Sequence, residues 1–272
     1  MAIAHINGTD LFYITVGKGI PCLVMHGGLG FDHTYLHPWL DSLGDTLQLI
    51  YYDHRGNGRS GRPDKETMTH AQFATDAAAL ALHLGHEKVA VLGHSYGGFI
   101  ALEFALRHPD RLSHLILLDT APASPFVSYP EEIEANFLRM GATKEMQEAM
   151  HKEWTTDEEM RENFIIFWPI YFKHYDPVIG ARLLENSIVT VSGGARDGKA
   201  YNVTARLGEI QTPTLVMVGR DDWICPPSQA HILHDGILNS ELVIFEDSGH
   251  LPYVEEAEAF FTTIRDWIKR SS

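Results

Sequence analysis

The segment VAVLGHSYGG, residues 89–98, decides the fold. Val89, Ala90, Val91 and Leu92 form a short apolar run rich in β-branched residues, whereas Phe99, Ile100, Leu102, Phe104, Ala105 and Leu106 recur at helical spacing, so the period changes at Ser95. Between the two lies Gly93-His94-Ser95-Tyr96-Gly97, which matches G-x-S-x-G. That turn holds a serine in a strained backbone conformation with its hydroxyl pointing outward, and side chains at 93 or 97 would collide across it. An ordinary strand-to-helix turn with a solvent-facing serine has the same local pattern, so the rest of the chain must supply partners.

Outward from this point, strand and helix alternate. Residues 4–16 read as an antiparallel edge hairpin around Asn7-Gly8. A buried strand at 21–25 stops at the glycine-rich HGGLG, residues 26–30, and a helix is expected over 35–43. The strand at 47–52 ends in DHRGNGRS, residues 53–60, a loop read as structural and pinned by Asp and Arg pairing. A helix over 69–84 then leads into the Ser95 strand. After a strand at 115–118 the rhythm breaks. Residues 122–205 show helical patterns only, with a capping box at Thr156 to Glu159 and an aromatic run of Phe164, Phe167, Trp168, Tyr171, Phe172 and Tyr175. This segment is expected to form a helical cap inserted in a core made of 1–121 and 206–272. Strands at 213–218 and 241–245 resume the rhythm, and an amphipathic helix over 257–269 closes the chain. Such alternation implies an α/β fold whose sheet is mostly parallel and covered on both faces, with reactive groups at the carboxyl ends of its strands.

Composition sets limits on function. The 272 residues carry 36 acidic and 21 basic side chains, a net charge of −15, which disfavours nucleic acid and anionic membrane surfaces as partners. No apolar run approaches membrane-spanning length and the first residues lack a signal-peptide pattern, so membrane insertion is not expected and a cytoplasmic location is the simplest expectation. Cys22 and Cys225 fall near opposite ends of parallel strands, about a strand length or ~17 Å apart, too far for a disulfide. The 16 histidines lack HExxH spacing and read as scattered surface residues, so neither a metal nor a cofactor is expected.

Three residues fall just past strand ends in the order Ser95, Asp222, His250. A serine hydroxyl is a weak nucleophile until an imidazole takes its proton, and a carboxylate holds that imidazole in the required tautomer. Asp221 is the fallback for the acid. An oxyanion formed by attack on a carbonyl would find the backbone N–H groups of Gly28 and Tyr96. The glutamates at 131, 132, 134, 158, 159 and 162 read as solvated faces of cap helices.

In HGGLG, GHSYGG, GRDDWICP (219–226) and DSGHLPYVEE (247–256) the chain resembles the α/β-hydrolase superfamily over nearly its whole length. The resemblance implies an eight-stranded sheet, an oxyanion loop at 26–30, a nucleophile elbow at Ser95, and triad segments bearing Asp222 and His250. HGG, DHRGNGRS and the helical cap are most similar to the proline iminopeptidase-like branch, whose members cleave an N-terminal residue from small peptides. The chain departs from it in having HGGLG for HGGPG, and Trp223 where some members place a glutamate for the substrate ammonium. The leading expectation is a cofactor-independent carboxylesterase acting on small esters through an acyl-enzyme. An aminopeptidase taking short peptides, a lactonase or carbon–carbon bond hydrolase, and a catalytically weak ligand-binding protein stay open.

Overall fold

The computed structural model describes residues 2–28 and 30–271, so Leu29 of the glycine loop lies outside the described residues. Eight strands, β1 (Ala2–Ile6), β2 (Thr9–Val16), β3 (Ile20–Met25), β4 (Leu47–Tyr52), β5 (Val89–His94), β6 (Leu112–Leu118), β7 (Thr214–Gly219) and β8 (Ser240–Phe245), form one sheet in the order β1-β2-β4-β3-β5-β6-β7-β8. The β1–β2 and β2–β4 pairs are antiparallel and all others parallel. The hairpin turns at Asn7 and Gly8, both at positive φ, as a two-residue turn of matching twist requires. The central strands are buried along their length, which is why they read as continuous apolar runs instead of alternating ones.

Helices α1 (His70–His83) and α2 (Tyr96–Arg107) follow β4 and β5 and pack one face of the sheet. Between β6 and β7 run α3 (Pro125–Ser128), α4 (Pro130–Arg139), α5 (Lys144–His151), α6 (Asp157–Phe167) and α7 (Pro177–Leu184), with no strand among the described residues there. An isolated antiparallel bridge between Ala123 and Asn202 draws the two ends of this excursion together. The expected capping box opens α6, with the Thr156 hydroxyl and the Glu159 carboxylate each taking the other's backbone N–H. Helix α8 (Pro227–Gly236) joins the first face, while α9 (Pro252–Glu255) and α10 (Ala257–Ser271) cover the second. No helix among the described residues is long and apolar enough to cross a membrane. Cys22 and Cys225 are buried and unbonded.

Two expectations need correction. The helix over 35–43 does not form: two 3-10 turns, His33–Tyr35 and Asp41–Asp45, flank Pro38, whose missing N–H and restriction of the preceding residue oppose a continuous α-helix. Nor are the histidines mere surface residues, since His26, His33, His54, His70, His94, His114 and His250 are buried.

Several of these histidines tie strand ends together. Beyond β3, His26 donates from Nδ1 to the Gly27 carbonyl (3.0 Å) and accepts at Nε2 from the His54 N–H (3.1 Å). His54 returns a bond from Nε2 to the His26 carbonyl (3.1 Å), so the ends of β3 and β4 are cross-linked. His94, at the end of β5, donates from Nε2 to the His250 carbonyl (3.0 Å) and accepts at Nδ1 from the Tyr35 hydroxyl (2.8 Å), which accepts the Gly27 N–H (2.6 Å). Burial pushes all three histidines below their ordinary value and keeps them neutral.

The elbow itself depends on missing side chains. A Cβ on Gly93 would lie 2.6 Å from the Gly97 carbonyl oxygen, and one on Gly97 would run into the Met25 carbonyl at the end of β3. Gly97→Ala is therefore expected to lower unfolding free energy by about 3 kcal/mol or more, read by urea denaturation. The histidines give a second expectation. An unfolded histidine takes its proton near 6.5 while its depressed folded counterpart does not, so stability is full above that pH and lost as pH falls below it toward the folded values. Urea midpoints should drop between about pH 7 and about pH 5, and a flat series would contradict the linkage.

Candidate active site

Ser95 sits between β5 and α2 at φ 55° and ψ −124°, a left-handed conformation that a non-glycine residue adopts only under strain. Surrounding bonds hold it there. Its N–H donates to the Leu118 carbonyl (3.0 Å), and its carbonyl accepts from the Gly98 N–H (2.9 Å) and the Thr120 hydroxyl (2.7 Å). The N–H of Tyr96, first residue of α2, has no carbonyl one turn back within the helix, so it is free to meet an anion at the positive helix end. Gly28, at φ 42°, borders the same space.

His250 follows β8 and is fixed from three directions. Its Nδ1–H donates to Asp222 Oδ2 (2.7 Å), its N–H donates to the Tyr171 carbonyl (2.7 Å), and its carbonyl receives His94. Asp222 is fully buried, and its Oδ1 accepts the N–H groups of Ile224 and Cys225, both at 3.0 Å. Asp221 faces away and pairs with Arg139 (2.7 Å) and Lys173 (3.3 Å). The structure thus brings Asp222, and not the fallback, to the histidine.

Two cavities meet at Ser95. A narrow one of about 60 Å³ is walled by Phe31, Tyr35, Phe164, Trp168, Leu251 and His250. A wider cleft of about 690 Å³ runs past Tyr96, Phe126, Val127, Ile224 and Lys199. Gly28, Ser95 and Tyr171 border both. The aromatic run therefore divides: Phe164, Trp168 and Tyr171 face the narrow cavity, Phe167 packs with Ile133 and Phe137 under the cap helices, and Tyr175 is exposed. Trp223 joins that cap cluster against Phe137 (4.7 Å between centroids) and lines neither cavity.

The DHRGNGRS loop is structural, as its residue types suggested. Asp53 accepts from His33 Nδ1 (2.6 Å) and the Arg59 N–H (2.8 Å), Arg59 donates to Asp32 (2.6 Å), and Arg55 forms a buried two-pronged pair with Asp76. Asn57 accepts the Gly30 N–H (2.6 Å) and donates to the Gly193 carbonyl (3.2 Å), which joins the glycine loop to the chain returning from the cap. Asp32, His33 and Asp53 are close enough together to hold a cation, as are Asp222, Cys225 and His250. In both groups the carboxylate oxygens are already taken by N–H donors, and burial pushes the Cys225 thiol well up, away from the thiolate a metal prefers.

Sequence reasoning missed Tyr35, His94 and Asp119. Tyr35 and His94 form the strut between the glycine loop and His250, and only the variable position inside G-x-S-x-G hinted at His94.

A family model for the alpha/beta hydrolase fold matches residues 21–148 and 180–257. Proline iminopeptidase PfmaB of Pestalotiopsis fici is 28% identical over 282 residues, covering 98% of each chain. A proline iminopeptidase of Lactobacillus crispatus is 29% identical over 287 residues, covering 96% of this chain and 95% of its own. Among solved structures, a malate-bound thermophilic esterase of Thermogutta terrifontis superposes with a TM-score of 0.74 at 28% identity, covering 99% of this chain and 98% of that one. Since the family match runs through every strand from β3 to β8 and is interrupted only between β6 and β7, the chain belongs to the alpha/beta hydrolase fold family.

Proposed function

We propose that the protein is a serine hydrolase of small carboxylic esters, working through an acyl-enzyme on Ser95. His250 takes the Ser95 proton at Nε2 while Asp222 holds Nδ1–H, and the N–H groups of Gly28 and Tyr96 receive the oxyanion, each worth about 3 kcal/mol at the transition state. His250 then protonates the departing alkoxide. Because His250 walls the narrow cavity, the alcohol leaves on that side and the acyl chain occupies the wider cleft.

The observation that carries the ester reading is the charge of the walls. Among the described residues neither cavity is lined by an aspartate or glutamate, and the wider one presents Lys199, so a free α-ammonium would meet no counter-charge there. The cap glutamates are engaged elsewhere or turned outward: Glu132 accepts from Ser228 (2.7 Å) and Glu159 closes the capping box. Full-length similarity to proline iminopeptidases supports an aminopeptidase as the second reading.

Methyl esters of alanine and of N-acetylalanine, compared by pH-stat, separate the two. The ester reading expects the acetylated substrate to turn over at least as fast as the free amine, whereas strict dependence on the free amine would favour the peptidase. In either case Ser95→Ala should lose at least about a thousand-fold in kcat, and retention of the rate would remove Ser95 from the mechanism.

A further inference from the structure

Asp119 has no part in the reaction above, yet it is placed at some conformational cost. It follows β6 directly at φ 46°, and with Asn7 in the hairpin turn and Ser95 at the elbow it is one of three non-glycine residues at positive φ among those described. The carboxyl is wholly buried. Oδ1 accepts the Gly219 N–H (2.9 Å), which aims the group beneath the loop that follows β7. Oδ2 is buried with no donor reaching it, and the carboxyl is within side-chain hydrogen-bonding reach of Asp222.

Among the described residues, the titratable groups acting on Asp119 are Asp222 and Cys225 from that loop and Tyr253 and Glu255 from α9, none of them a cation. Two carboxylates in contact cannot both be ionised in so dry a place. Asp222 is the one held as an anion, because Ile224 N–H, Cys225 N–H and His250 Nδ1–H all donate to it. Asp119 has a single donor and burial pushes its carboxyl well above the usual range, with the neighbouring Asp222 adding to the effect.

The geometry points to Asp119 as a neutral carboxylic acid that donates its Oδ2 hydrogen to the Asp222 carboxylate and so serves as a positioning residue for the Asp222–His250 pair. The proton stays on Asp119 throughout, and no bond to substrate is involved. Asp222 is then gripped from a fourth direction, and its charge facing the imidazole is moderated by a donor without any cation being brought into the site.

This inference rests on the triad reading, and the test keeps the two apart. Asp119→Asn preserves an N–H donor in place of the O–H, and Asp119→Ala removes it. On methyl esters, the Asn protein is expected to keep kcat within about threefold and to leave the acidic limb of the kcat/KM profile, scanned from about pH 5 to about pH 9, where it is in the parent. The Ala protein should lose about tenfold or more in kcat with KM within about twofold, because orientation of the base is felt in the transition state. If Asp119 were ionised, Asp119→Asn would delete a negative charge beside the pair and move the acidic limb down by about one pH unit, which overturns the proposal. Equal losses in Asn and Ala overturn it as well.

A second readout does not depend on turnover. The infrared difference spectrum of parent against Asp119→Asn at neutral pH should contain the carbonyl band of a protonated carboxylic acid, and a carboxylate band in its place refutes the neutral form. Should Ser95-dependent hydrolysis be absent while the acid band is present, it is the triad reading that fails and the proton assignment that stands.

Discussion

The close approach of the β5–α2 turn to the end of β3 is the contact on which the rest of the site depends. Gly97 lies against the Met25 carbonyl with no room for a Cβ, and Gly27 lies in turn against Ser95. Because backbone meets backbone here, the loop carrying Gly28 and the helix start carrying Tyr96 both border the cleft at Ser95. The strained φ of Ser95 is sustained by its bonds to Leu118, Gly98 and Thr120, so the strain is borne by the sheet as a whole.

Around that contact the protein builds a buried polar layer in which every charge is local. Neutral histidines bridge the ends of β3, β4 and β5, and the buried Arg55–Asp76 pair together with the half-exposed Arg59–Asp32 pair locks the DHRGNGRS loop. A neutral imidazole supplies one donor and one acceptor without importing charge, which suits it to connecting carbonyls and hydroxyls in a dry setting. The net charge of −15 lies elsewhere, and the cavities at Ser95 carry almost none of it.

The helices between β6 and β7 do more than cover the sheet. The 3-10 turn at Trp168–Tyr171 presents the carbonyl that fixes His250, and the same turn gives two aromatic walls to the narrow cavity. Trp223, one residue past Asp222, packs against Tyr171 of that turn and Phe137 of α4, and so ties the loop after β7 to the cap. Trp223 and the histidine thus both rest on Tyr171, which also walls the cavity.

By itself the sequence determined the sheet, the order Ser95, Asp222, His250, and the structural character of the loop at 53–60. Those features are written locally: apolar runs of fixed length, glycines where backbones touch, and acid–base pairs inside a short loop. The same local rules failed at residues 35–43, where apolar spacing promised a helix that Pro38 prevents, and at the histidines, whose burial depends on partners far along the chain. Tyr35 and His94 are 59 residues apart and Asp119 and Gly219 are 100 apart, so no window of sequence contains either bond. Only the tertiary structure decided which aromatics face the cavity, that Asp221 turns outward, and that a second carboxyl is buried against Asp222. Each of these is a matter of which strand ends are neighbours in the sheet, and a hydrogen bond between distant residues leaves no periodic trace in either of them.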